Sequence, residues 1–129
     1  MTESEIQQQL QIEAVHHKCW LMRNNSGAFK DETGRVVRFG LGNVSKRHSE
    51  HMKSSDLIGV TEVVITPDMV GKTIGVITAF EVKNPEWKHD KKFDKHEMAQ
   101  ANFIRWIKAK GGIAGFLTSI EDLKHIFGK

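Results

Sequence analysis

The sequence predicts an α/β domain, and three observations predict it. Residues 73–83, Thr-Ile-Gly-Val-Ile-Thr-Ala-Phe-Glu-Val-Lys, form an apolar run of strand character. Residues 94–110 carry apolar side chains at helical spacing and stop at Gly111-Gly112. The order along the chain is helix, several strands, helix, strand, helix, with no internal repeat, low-complexity tract or linker.

Each element has a local cause. Residues 2–19 read as a helix that Thr2 or Ser4 can cap, with Ile6, Leu10 and Ala14 at four-residue spacing. Residues 20–23 read as a short strand, and Asn24-Asn25-Ser26-Gly27 as a turn. Residues 28–30 and 35–39 bracket Asp31-Glu32-Thr33-Gly34, a hairpin pattern. Residues 40–55 read as a polar loop. Residues 56–60 and 63–65 read as strand, and Thr66-Pro67-Asp68 as a brief helical turn with Pro at its first position. Asn84-Pro85 ends the long strand, and residues 84–93 are a charged loop carrying Trp87. Residues 113–117 read as the last strand. Thr118-x-x-Glu121 has capping-box spacing for a final helix ending near Gly128.

Composition narrows the class. The chain has 129 residues, which predicts a single domain over 1–129 with one core. Apolar content of 39% and charged content of 27% fit a globular rather than a disordered chain. No apolar run is long enough for a bilayer, and the acidic, polar start Met1-Thr2-Glu3-Ser4-Glu5 is unlike a secretory signal. Cys19 is the only cysteine, which excludes an intrachain disulfide and a cysteine-based zinc site. A cytoplasmic location is the expectation. The net charge of +3 and a pI of about 9.1 lean toward a nucleic-acid partner.

Glu81 and Lys83 carry the chemistry. In a strand they share one face and Val82 takes the other. A carboxylate and an amine at the end of an apolar strand cost desolvation energy without building a core. The pairing makes sense if the carboxylate holds a metal ion and the amine faces a charged reacting group. Asp56, at the head of another short apolar strand, supplies a second carboxylate. The plainer alternative is an ion pair at a strand end.

Other residues are read against plainer roles. Gln100 lies on the stripe of Phe103, Ile104 and Ile107, so it faces inward and needs partners. It either bonds backbone or orients the lysine, a metal-bound water or a phosphate. Glu3 shares the stripe of Ile6 and Leu10, and equally suits the positive end of a helix dipole; Glu5 and Glu13 compete with it. His48-x-x-His51 lacks a third zinc ligand and reads as exposed or phosphate-facing. Trp20, Trp87 and Trp106 read as packing residues, with Trp87 a candidate for base stacking.

Taken together the chain resembles the virus-type replication-repair nuclease (VRR-NUC) family of the PD-(D/E)XK nuclease superfamily, in its short stand-alone phage and bacterial form. The resemblance runs through Glu3-x-x-Ile6-Gln7, Arg23-Asn-Asn-Ser-Gly-Ala-Phe29, Ser55-Asp56-Leu-Ile-Gly59, Ile65-Thr-Pro67, Val70-Gly-Lys-Thr-Ile-Gly75, Phe80-Glu-Val-Lys83, Gln100-Ala-Asn-Phe-Ile-Arg-Trp106 and Lys110-Gly-Gly-Ile-Ala-Gly-Phe116. Ser55 stands where the family often has proline. The resemblance implies a restriction-endonuclease-like core, a central mixed sheet flanked by helices. It implies that Asp56 and Glu81, with the Val82 carbonyl and Glu3, bind Mg²⁺ or Mn²⁺. It gives Lys83 the attacking water or the transition state, and Gln100 the family's helix glutamine. It implies a homodimer that cuts branched DNA, a Holliday-junction resolvase; a nicking or flap nuclease, or a non-catalytic branched-DNA-binding module, are the alternatives. Arg23, Lys46, Arg47, Lys53, Lys88, Lys91, Lys92 and Lys95 are the expected phosphate-tracking cations. No membrane partner is expected.

Overall fold

A computed structural model describes residues 1–128. The protein is mixed α/β, with four α-helices and short two-stranded ladders, both antiparallel and parallel. The chain forms two compact units, one over Met1–Thr61 and one from Glu62 onward.

In the first unit, α1 (Glu3–Val15) starts at a capping box in which Thr2 accepts from the Glu5 N–H and the Glu5 side chain accepts from the Thr2 N–H. The helix ends before the expected residue 19 because Lys18 takes a left-handed φ of 56°, which turns the chain into β1 (Cys19–Arg23). β1 pairs antiparallel with β4 (Leu57–Thr61), from Cys19 opposite Thr61 to Arg23 opposite Leu57. Gly59 is required there, since a Cβ would lie 1.8 Å from the Trp20 carbonyl oxygen. Ala14 and Val60 are the buried apolar residues of this unit.

The expected hairpin forms from β2 (Gly27–Lys30) and β3 (Val36–Phe39), with Gly27 opposite Phe39. Asp31 closes its turn by accepting from the Thr33 hydroxyl and from the Thr33 and Arg35 N–H groups. The expected loop at 40–55 contains a short helix, α2 (Lys46–His51). Ser45 caps it by accepting from the His48 N–H at 3.0 Å.

In the second unit, Pro67–Met69 forms the expected turn, as a single 3₁₀ turn. β5 covers Thr78–Val82, not the whole of residues 73–83. Its only ladder among the described residues is the parallel one with β6 (Ile113–Leu117), whose first residue follows Gly111-Gly112. The last ladder-side bond upstream runs from the Ile113 N–H to the Ile77 carbonyl, so earlier residues have no β6 backbone to pair with. Residues 63–65 are likewise not strand: the β1–β4 ladder stops at Cys19 opposite Thr61, where β1 itself begins.

α3 (Lys95–Ala109) starts at a second capping box, Asp94 with Glu97. Gly111, at φ 90°, lets the chain leave the helix for β6. The unit's core is Ala101, Ile104 and Ile107 of α3 against Ala114 and Leu117 of β6, with Ile107 fully buried. The last helix, α4 (Ile120–Ile126), is capped one residue later than its spacing suggests. Ser119 accepts from the Asp122 N–H, and Asp122 in turn accepts from the Thr118 N–H and hydroxyl.

Among the described residues the strands pair as two-stranded ladders, β1–β4 and β2–β3 in the first unit and β5–β6 in the second. Among the described residues no helix is long and apolar enough to cross a membrane.

Candidate functional site

β5 sets the geometry of the second unit's site. Glu81 and Lys83 are half-buried and Val82 is 74% exposed, the alternation a strand imposes. Lys83 lies just past the strand, but its N–H donates to the Leu117 carbonyl at 2.8 Å and so continues the ladder. The side chain is thereby aimed from a fixed backbone.

Its ammonium donates to Gln100 Oε1 at 2.7 Å. This bond gives the inward-facing glutamine a partner, and that partner is the lysine side chain rather than backbone. Lys83 Nζ also lies 5.8 Å from the centre of the Phe116 ring, within cation–π range. A groove of about 320 Å³ adjoins Gln100, lined also by Phe80, Glu81, His96, Phe103 and Ile104 among others. Within its unit the Glu81 carboxylate has no hydrogen-bond or ion-pair partner among the described residues. Among the described residues no fully buried side-chain oxygen lacks a partner, so this carboxylate reaches solvent.

The charged loop is pinned over the end of β6. Glu97, only 4% exposed, accepts from Trp87 Nε1 at 2.5 Å and from the Asp94 N–H at 3.0 Å, and pairs with Lys91 at 2.8 Å. The Lys91 ammonium, then the indole N–H and the Asp94 N–H, hold its carboxyl down at about 2. Trp87 packs on Phe116 and Phe93 at centroid distances of 4.7 and 5.5 Å. Its ring is a packing element, which is the plainer of its two expected roles. Lys91, expected to track DNA, is committed to Glu97; Lys88, Lys92 and Lys95 are exposed.

In the first unit, Asp56 lies in a bend directly before β4, and its side chain is exposed. Asn24 fixes this bend. Its N–H donates to the Asp56 carbonyl at 2.9 Å. Its Nδ2 donates to Ser54 Oγ at 2.7 Å and to the Ser55 carbonyl at 2.9 Å, while its Oδ1 accepts from the Leu41 N–H. Among the first-helix acids, Glu5 is used in the cap and Glu13 lies 3.4 Å from His17. Glu3 is exposed and has no such partner among the described residues. Arg23, Lys46, Arg47 and Lys53 are exposed.

Two residues escaped the sequence reading. His96 lines the groove one helical turn before Gln100, and the i, i+4 spacing was the available signal. Asn24 reads in sequence as turn chemistry, and nothing local marks its bonds to residues thirty positions away. Among the described residues no group of three or more His, Cys, Asp or Glu side chains forms a metal-holding cluster. Comparison with protein-family models, curated proteins and solved structures returned no match.

Proposed function

We propose that the protein is a Mg²⁺- or Mn²⁺-dependent, structure-specific DNA endonuclease with a restriction-endonuclease-like core, related to the VRR-NUC family and acting on four-way junctions. One observation carries this reading: Lys83 is held at 2.7 Å by Gln100, which lines an open groove together with Glu81. Glutamate, lysine and helix glutamine are the family's set in the family's order.

The donor chemistry fits a hard divalent cation. Glu81 offers carboxylate oxygens that no described group of its unit occupies, the Val82 carbonyl is the neighbouring backbone oxygen, and Mg²⁺ takes one or two carboxylates and keeps several waters. The resemblance would make Asp56 the other carboxylate and Glu3 a further one. When bound, the ion would supply water activation and offset charge on the scissile phosphate. The protein's own part is positional. One Lys83 N–H bond is spent on Gln100, which leaves the others for a phosphate oxygen or the attacking water. A preset ammonium needs little reorganisation as negative charge develops.

The exposed cations Arg23, Lys46, Arg47, Lys53, Lys88, Lys92 and Lys95 suit backbone contacts, which read shape rather than sequence. A homodimer is part of the reading, since a two-fold pair of sites suits symmetric cutting. Exposed Phe29 and Phe39 on the β2–β3 hairpin are apolar surface for such a contact.

The deciding experiment incubates wild-type and Lys83→Ala protein with junction and plasmid DNA, with and without Mg²⁺ or Mn²⁺. Metal-dependent cutting lost in Lys83→Ala is expected. Binding without cutting by the wild type selects the non-catalytic module, and product mapping on labelled junctions separates a resolvase from a nicking or flap nuclease.

A further inference from the structure

The first unit holds a pocket of about 300 Å³ between the β2–β3 hairpin and the segment leading to Ser54. Arg38 and Lys53 line it, with the hydroxyls of Ser26, Ser49 and Ser54, and no acidic residue does. Neither cation has an ion-pair partner among the described residues. Arg38 is half-buried on β3, and its side chain's one hydrogen bond among the described residues, from Nη1 to Asn43 Oδ1, is long at 3.4 Å. Asn43 is itself fixed, donating to the Gly27 and Phe39 carbonyls at 2.7 and 3.0 Å. The guanidinium is thus placed but not neutralised, and most of its N–H donors are uncommitted.

The hydroxyls sort by their bonds. Ser49 donates to the Lys46 carbonyl, so its proton is spent. Ser54 accepts from Asn24 Nδ2, which leaves its own proton to give. Ser26 is set against Gly40, where a Cβ would fall 2.2 Å from the Ser26 Cβ; the left-handed φ of 97° at Gly40 and its missing side chain together allow the approach.

We propose that this pocket binds a phosphate group. A planar fork, a point charge and hydroxyls meeting from different walls suit a tetrahedral oxyanion better than a flat carboxylate. The volume is at the small end for ligand pockets, enough for a phosphate with its sugar. The phosphate is either an internal phosphodiester of a nucleic-acid strand or a terminal phosphomonoester. Because Asn24 holds both Ser54 and the Asp56 backbone, a strand gripped here is held near the Asp56 end of β4. The site goes beyond the nuclease reading and needs none of its chemistry.

The test is amide chemical-shift titration of the ¹⁵N-labelled full chain in metal-free buffer. The probes are inorganic phosphate, thymidine 5′-monophosphate, the dinucleotide TpT with an internal phosphate only, and unphosphorylated thymidine. Shifts centred on Arg38, Asn43 and Ser54 are expected with phosphate-bearing probes and not with thymidine. Comparing TpT with the monophosphate identifies the internal or terminal source. Arg38→Gln and Lys53→Gln should each raise Kd by about tenfold, and Lys30→Gln should leave it unchanged. Lys53 is exposed, so its variant carries the test if Arg38→Gln fails to fold. Unchanged Kd in the folded variants, or shifts centred elsewhere, overturn the proposal. A wild-type protein that binds phosphate here but cuts no DNA would sink only the nuclease reading.

Discussion

Lys83 Nζ donates to Gln100 Oε1 over 2.7 Å, which ties the end of β5 to the middle of α3. A lysine on a free four-carbon stem samples many positions, and the amide holds it to one. Gln100→Ala should therefore lower the cleavage rate at saturating junction DNA by about 100-fold with little change in KM. Lys83→Ala should abolish cleavage. Single-turnover rates check both, and a Gln100→Ala rate equal to wild type removes the positioning role.

Glu97 makes the second unit acid-sensitive. Its folded pKa of about 2 lies below its ordinary value of 4.5, so it contributes stability above pH 4.5 that is lost as pH falls toward 2. Asp122, lowered by the Thr118 N–H and hydroxyl, acts in the same direction. Glu97→Gln should flatten the fall of Tm with pH over that window and lower Tm at neutral pH. Thermal melts from pH 2 to 7 measure it; parallel curves for the two proteins would contradict the assignment.

Neighbouring lysines should separate by role. Lys91 is paired with the nearly buried Glu97, and Lys88 is exposed. Lys91→Gln should lower Tm. Lys88→Gln should leave Tm in place and reduce the slope of log affinity for junction DNA against log salt by about one. Filter binding at several salt concentrations, beside melts, distinguishes them.

Asn24→Ala removes the side-chain bonds to Ser54, Ser55 and Leu41 together. It should cost about 1–2 kcal/mol of stability and reduce cleavage through a loosened Asp56 segment. Denaturant titration gives the first quantity. Cleavage at wild-type rate by a destabilised Asn24→Ala protein would show that the bend does not position Asp56.

Gly59 and Gly75 form a matched pair. A Cβ at Gly59 meets the Trp20 carbonyl oxygen at 1.8 Å, whereas at Gly75 it meets nothing within 4 Å. Gly59→Ala should destabilise by about 3 kcal/mol or prevent folding, and Gly75→Ala should change stability by less than about 0.5 kcal/mol. Circular dichroism and melting compare the two.

Much of the local structure was legible in the sequence. The spacing of Phe103, Ile104 and Ile107 with Gln100 gave α3 and the inward glutamine. Asp31 to Gly34 gave the hairpin, and Gly111-Gly112 the helix stop. Ser45 caps α2 within the stretch whose sequence suggests a loop, and Ser119 makes the cap for which the sequence offers Thr118. The second is a shift between adjacent Thr118 and Ser119, either of which can cap; the first is a six-residue helix too short and too polar to show an apolar period. The apolar stretch before Thr78 was read as strand because apolarity is local, while a ladder needs a partner.

The sequence by itself determined where α1 and α3 begin, which residues share the Glu81–Lys83 face, and which side chains carry charge, because period and turn chemistry act within a few residues. Only the tertiary structure decided that β5 is cut to the length of β6, that Lys83 meets Gln100 and Lys91 meets Glu97, and that Asn24 holds the Asp56 bend. Those outcomes depend on which distant groups arrive beside each other, since every polar group removed from water takes the nearest partner that packing provides.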